Sequence, residues 1–118
     1  MKLVSFVKVL AAALTSLSFC SSSWAQADEA RAKKIISGSC FLCHGAEGDS
    51  SSEVFPRLAG QHSEYIAKQL ENFKSGKRNN TAMRDMVAKL TSDEMLAIGR
   101  YFEKQSMPVE APKDAGLA

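Results

Sequence analysis

Cys40-Phe41-Leu42-Cys43-His44 is where nucleophilic and metal-binding side chains crowd together in this chain. Two thiols three residues apart share one face of a helical turn, and an imidazole follows the second at once. This is the C-x-x-C-H pattern of covalent haem attachment. Both sulfurs can reach the vinyl groups on one edge of a haem, and the histidine can swing onto the iron as proximal ligand. Three other chemistries use the same residue types. A plain disulfide between Cys40 and Cys43 would suit an oxidising compartment. A thioredoxin-like pair belongs beside a βαβ pattern, and no strand pattern is visible. Zinc takes four ligands, and only Cys40, Cys43, His44 and His62 are on offer beyond the N-terminal segment. Haem attachment is the expected chemistry.

His44 supplies one axial ligand. An electron-carrying haem needs the other position closed, so that little reorganises when the electron arrives. Methionine is the usual partner in positive-potential c-type haems, because its soft thioether favours ferrous iron. The candidates are Met83, Met86, Met95 and Met107. Met95 falls on the apolar face of the last predicted helix and reads as core, and Met107 lies in the tail. Met83 stands in an irregular stretch just before Met86-Val87, where a loop can bring it across the haem. By spacing alone Met83 and Met86 compete. His62, at the start of a helix, reads as an exposed loop residue rather than as a second imidazole ligand.

The elements that must hold these residues are helical. Residues 1–27 combine a start with two lysines and no acid, an apolar middle from Val9 to Phe19, and Ala25-Gln26-Ala27, the layout of a cleaved secretory signal peptide. The apolar part is shorter than the ~20 residues that span a bilayer. Cys20 belongs to this discarded segment. Cleavage after Ala27 would leave 91 of the 118 residues, with thirteen Lys and Arg against thirteen Asp and Glu. That balance excludes the basic excess of a nucleic-acid-binding surface. A first helix is predicted over 28–39, with Ala32, Ile35 and Ile36 on one face. A second runs from Ser63, a plausible N-cap, to about Ser75, with Ile66, Leu70 and Phe73 on one face and Gly76 as its stop. A third starts at the capping box Thr91-Ser92-Asp93-Glu94 and buries Met95, Ile98 and Phe102. Two loops, Gly45 to His62 and Gly76 to Ala82, separate them. So much loop in a small chain needs an organiser, and a covalently tied apolar plate would be one. Residues 28–108 make the predicted domain, and 109–118 a frayed tail.

Beyond C-x-x-C-H-Gly45, the chain carries Phe55-Pro56-Arg57-Leu58-Ala59-Gly60-Gln61, then Tyr65 and Lys68-Gln69-Leu70. Phe73, Gly76, Arg78, Met83, Ala88-Lys89-Leu90 and Tyr101-Phe102 follow in order. In these features it resembles the small bacterial class I c-type cytochromes, found singly as periplasmic carriers and doubled in di-haem respiratory cytochromes. The resemblance implies an all-α class I fold, three main helices and long loops wrapped around one covalently attached haem c. It implies that Met83, seven residues before Leu90, is the axial methionine and that Met86 packs. It implies that the Pro56 carbonyl accepts a hydrogen bond from the other ring nitrogen of His44. The first and last helices should cross near Ala32, Ile36, Ile98 and Tyr101. Ala32 replaces a usual glycine there and Ile36 a usual aromatic, with Gly99 giving back some room.

Arg57 and Arg78 match the geometry of haem propionates, or are solvated arginines. Lys74, Lys77 and Arg78 form a small basic cluster that reads first as a solvated face, because balanced charge argues against strong steering. The expected function is that of a monomeric periplasmic electron-transfer protein, not an enzyme. It would take electrons from a quinol–cytochrome c reductase or a dehydrogenase and pass them to an oxidase or reductase. The alternative is the cytochrome subunit of an enzyme complex such as a flavin-dependent sulfide dehydrogenase. A gas sensor or haem enzyme would need Met83 off the iron, and no acid–base pair stands beside Met83 to serve peroxidase-like chemistry.

Overall fold

The computed structural model describes residues 21–107. Residues 1–20 of the expected signal peptide and the expected tail at 109–118 lie outside the described residues. Helix α1 spans Ser21–Ile35 and runs without a break into a π-helical turn, Ile36–Cys40, and then α2, Phe41–His44. The helix predicted over 28–39 is thus longer at both ends, and Ala25-Gln26-Ala27 lies inside it. After a loop come α3 (Ser63–Lys74), α4 (Thr81–Val87) and α5 (Ser92–Glu103). Among the described residues there is no strand, and no helix is long and apolar enough to cross a membrane.

The apolar spacing explains the packing. Ala32 and Ile36 on one side and Ala97, Ile98 and Phe102 on the other close the α1–α5 crossing, joined by Ile66 of α3. Tyr101 packs against this cluster, as the predicted crossing requires. Phe73, Val87 and Met95 form a second cluster, and Leu70 and Leu90 pack against both. Polar contacts frame the α1–α5 crossing. Arg31 pairs with Glu94 at 2.8 Å and Lys104 with Glu29 at 3.1 Å.

Two expectations about α3 are corrected. Ser63 is the first helical residue rather than the cap, which is His62 with no side-chain cap bond. The Ser63 N–H donates to the Glu103 carboxylate at 3.2 Å, so the end of α5 satisfies the start of α3. Gly99 makes room for α3, where the resemblance had suggested room at the α1–α5 crossing. A Cβ at Gly99 would overlap the Ser63 carbonyl.

The short helix α4 takes over the end of the expected irregular stretch Gly76 to Ala82 and runs on through Met83 to Val87. Asn80 is its N-cap, in extended conformation, with its side-chain oxygen accepting from the Met83 N–H at 2.9 Å. An asparagine side chain in this position satisfies an otherwise unpaired donor of the first turn. The capping box of α5 is present as predicted, with both reciprocal bonds between Thr91 and Glu94.

Candidate haem site

The unbroken path from α1 through the π turn carries Cys40, Cys43 and His44. The π turn closes with the Phe41 N–H bonded to the Ile36 carbonyl. Such wide turns are rare and concentrate at functional sites. Both cysteines are free thiols. Cys40 is half-buried against the α1–α5 cluster and Cys43 is exposed. Burial pushes the Cys40 thiol above the usual range, because a desolvated thiolate is disfavoured.

His44 is the buried polar residue of this path, 7% exposed. Its Nδ1 lies 2.9 Å from the Pro56 carbonyl oxygen. A carbonyl only accepts, so Nδ1 carries the proton and Nε2 keeps its lone pair. The Phe55 ring stands edge-on to the imidazole, with centroids 6.2 Å apart.

The loop that delivers Pro56 is stitched to the core. The Gly48 carbonyl accepts from the Leu58 and Ala59 N–H groups at 2.8 and 3.1 Å. Gly48 has φ +78°, and a Cβ there would stand 2.7 Å from both the Ala59 nitrogen and Phe102 Cδ1. Only glycine enters that conformation and that gap without strain. The Tyr101 hydroxyl donates to the Ala46 carbonyl at 3.1 Å, and the Gly60 N–H to the Phe102 carbonyl at 2.8 Å. Helix α5 therefore holds the loop that orients the histidine.

The other sequence candidates are spread over the rest of the fold. Met83 sits in the first turn of α4, half-buried beside Phe73, Val87 and Met95. Met86 and Met107 are exposed, and Met95 is fully buried in the core. Arg57 lines an open cleft with Ser50, Ser51, Ser52 and Glu53, and its Nε donates to the Ser50 carbonyl. Arg78 stacks over the Phe73 ring at 4.6 Å and donates to Gln69 Oε1 at 2.8 Å. His62 is exposed and lies 3.5 Å from a Glu103 oxygen.

These features fit a haem c and fit the rival chemistries poorly. Two unjoined thiols at helical spacing are followed by a buried histidine with one nitrogen committed to a carbonyl. Large apolar side chains stand exposed nearby in sequence: Phe41, Leu42, Val54 and Phe55. An apolar plate tied to this segment would cover such surface favourably. Among the described residues no group of three or more His, Cys, Asp or Glu is arranged to hold a metal ion such as zinc. The residue spacing pointed to the thiols and the histidine, and the resemblance pointed to Pro56. It missed α4, the π turn and the Tyr101–Ala46 strut. Of these only α4 left a signal, in Asn80.

Residues 29–106 match the family model described as Cytochrome c. The chain is similar to cytochrome c4 of Thiocapsa roseopersicina, with 43% identity over 93 residues, covering 79% of this chain and 43% of that protein. It is similar to the cytochrome subunit of sulfide dehydrogenase from Chlorobaculum tepidum, with 42% identity over 69 residues, 58% of this chain and 62% of that one. The crystal structure of reduced recombinant cytochrome c4 from Pseudomonas stutzeri aligns with a TM-score of 0.61 and 31% identity, over 69% of this chain and 50% of that one. The chain thus spans less than half the length of the cytochrome c4 sequences it matches. With this match over most of its length, the chain belongs to the cytochrome c family, with the all-α class I fold and covalently bound haem c.

Proposed function

We propose that the chain is a periplasmic one-electron carrier, exported by residues 1–27 and holding a single haem through Cys40 and Cys43, with His44 and Met83 as axial ligands. The observation that carries this reading is the buried His44, whose Nδ1–H is committed to the Pro56 carbonyl directly after two free thiols. The haem supplies an iron that gains and loses one electron. The protein supplies the rest. The Pro56 bond fixes the tautomer of His44 and makes its Nε2 a better donor. Asn80 fixes the backbone of Met83 from below, and the Phe73–Val87–Met95 cluster holds its side chain. Met83 is favoured over Met86 because it is half-buried where Met86 is 51% exposed. Arg57, next to Pro56, is proposed to pair with a haem propionate. Arg78, also a candidate for that role, is engaged by Phe73 and Gln69 and is assigned to holding the 75–80 turn. Donor and acceptor would be respiratory, a quinol–cytochrome c reductase or dehydrogenase upstream and an oxidase or reductase downstream.

The similarity to a sulfide dehydrogenase cytochrome subunit favours one second reading, in which the chain sits on a flavoprotein. Stable co-purification with such a partner would select it. The oxidised spectrum tests the first reading. Met83→Ala is expected to abolish the weak near-infrared band of methionine-to-ferric coordination and to open the reduced iron to carbon monoxide, and Met86→Ala to leave both unchanged. The reverse pattern would move the ligand to Met86.

A further inference from the structure

Two neighbouring residues of α5 grip the loop that delivers Pro56, and they grip it at three points. At its start the Tyr101 hydroxyl donates to the Ala46 carbonyl at 3.1 Å. At its bend Phe102 Cδ1 fills the space that a Cβ on Gly48 would need. At its end the Phe102 carbonyl accepts from the Gly60 N–H at 2.8 Å. Pro56 stands between these points. The bonds within the loop form a closed ring. It runs from the His44 Nδ1–H to the Pro56 carbonyl, along the chain to the Leu58 and Ala59 N–H groups, across to the Gly48 carbonyl, and back along the 45–48 turn to His44. Phe102 contributes a fully buried ring and a carbonyl that any residue would supply. Tyr101 contributes a side-chain hydroxyl. Its half-buried ring stands edge-on to Phe102, with centroids 5.3 Å apart, and packs against the α1–α5 cluster. A phenylalanine would pack there equally well. What the hydroxyl adds is a bond to the carbonyl two residues after His44.

We propose that Tyr101 is a positioning residue for His44: its hydroxyl, through Ala46, fixes the 45–48 turn and so sets how tightly the His44 Nδ1–H is held by the Pro56 carbonyl. The links of the ring are short stretches of backbone, so a turn released at Ala46 moves the other bonds with it. The Pro56 bond in turn sets the donor strength of Nε2. A tighter bond makes the imidazole a stronger donor and favours ferric iron, and a looser one favours ferrous iron. One hydroxyl on α5 thereby couples the helix crossing to the affinity of the haem for an electron. The inference rests on His44 being the iron ligand of the carrier reading above.

The test uses the haem-loaded, 15N-labelled protein. Tyr101→Phe keeps the ring and loses only the oxygen. In the reduced variant the His44 Nδ1–H should exchange with solvent roughly fivefold faster, the factor that one ordinary hydrogen bond contributes. The equilibrium constant for one-electron reduction should rise by roughly threefold, less than the 10–100-fold that follows direct loss of a group bonded to a metal ligand. Gly99→Ala is the control, because it loads the same helix against Ser63 and not against Ala46. It should leave both readings where they are. Either reading unchanged in Tyr101→Phe, or an equal change in Gly99→Ala, would overturn the proposal. A second measurement needs no variant. In the unaltered protein the His44 Nδ1–H and the Leu58 and Ala59 amides should be released through one common opening. Protection of the ring proton about tenfold below that of the amides would also overturn the proposal, by showing that the ring of bonds does not move as a unit. Failure of the ligand reading shows separately, as absence from the unaltered reduced protein of the large ring-current shifts of an imidazole held over a haem.

Discussion

Along the α1–α5 crossing Ala32, Ile36, Ile98 and Phe102 are at most 3% exposed, whereas Leu42, Val54, Phe55 and Met86 stand 39–80% exposed elsewhere in the same small fold. The first region satisfies itself. Its apolar faces meet, Glu94 and Glu29 pair its cations, and Glu103 serves the first turn of α3. The second region is held by a few hydrogen bonds accepted by the Gly48, Ala46 and Pro56 carbonyls, and by a seven-residue helix with one capping asparagine. Fewer buried contacts mean easier local opening. The comparison teaches that one half of the chain is folded by its own side chains and that the other is shaped to be completed by a covalent group.

The largest effect should come from removing that group. Cys40→Ala with Cys43→Ala is expected to abolish attached haem and, with it, most of the order of the site side. A domain of this size buries a limited share of its surface, and loss of the covalently tied apolar group removes the apolar surface that it would bury. Far-UV circular dichroism should show a large loss of helix. Hydrogen exchange should show residues 45–62 and 76–90 unprotected, with the last protection in α5. Full native helicity in the double variant would break the comparison, because both halves would then be self-sufficient.

The second effect falls on the other side. Gly99→Ala pushes a Cβ onto the Ser63 carbonyl, a backbone atom at the start of α3. Backbone cannot swing aside as a flexible side chain can, and overpacking of this kind costs about 1–3 kcal/mol. For a domain near this length each kcal/mol lowers the melting temperature by about 4–8 °C. The spectrum of the attached haem should be unchanged below the transition, since Gly99 touches α3 rather than the His44 segment. A spectral change at constant stability would show that the two regions are coupled more tightly than their contacts indicate.

What the sequence made legible follows the same division. The long helices were readable because their apolar residues recur with helical spacing, as at Ile66, Leu70 and Phe73 or Met95, Ile98 and Phe102, and because Thr91 and Glu94 mark a start. The thiols and His44 were readable because their chemistry demands local spacing. Helix α4 was not, since seven residues allow only Met83 and Val87 to face inward, too few to establish a period. Asn79-Asn80 resembles a turn until Asn80 is seen as a cap. The partner of Ser63 was hidden for a different reason: Glu103 lies forty residues away, and no local pattern announces it. Gly99 was noticed, yet assigned to the wrong neighbour, because a missing side chain says that something comes close without saying what.

The smallest effect is electrostatic and confined to acid. The Thr91 backbone N–H, and then Arg31, hold the Glu94 carboxyl below the usual carboxylate range. The Ser63 N–H does the same for Glu103, and Lys33 followed by Lys104 for Glu29. A folded pKa below the unfolded one means that the unfolded chain binds protons first. Each contribution is therefore complete above the unfolded glutamate value of about 4.3 and fades as pH falls through the lowered folded value. Glu94→Gln keeps a capping-box side chain but has nothing to protonate. Its deficit against the unaltered protein should be constant from pH 7 to about pH 5 and should shrink below about 4.3. Urea midpoints measured across that range check the sign. All three groups lie on the self-sufficient side, so the acid limb should follow loss of helix signal at constant haem absorption. A limb that followed the haem absorption first would place the acid-sensitive contacts in the site instead.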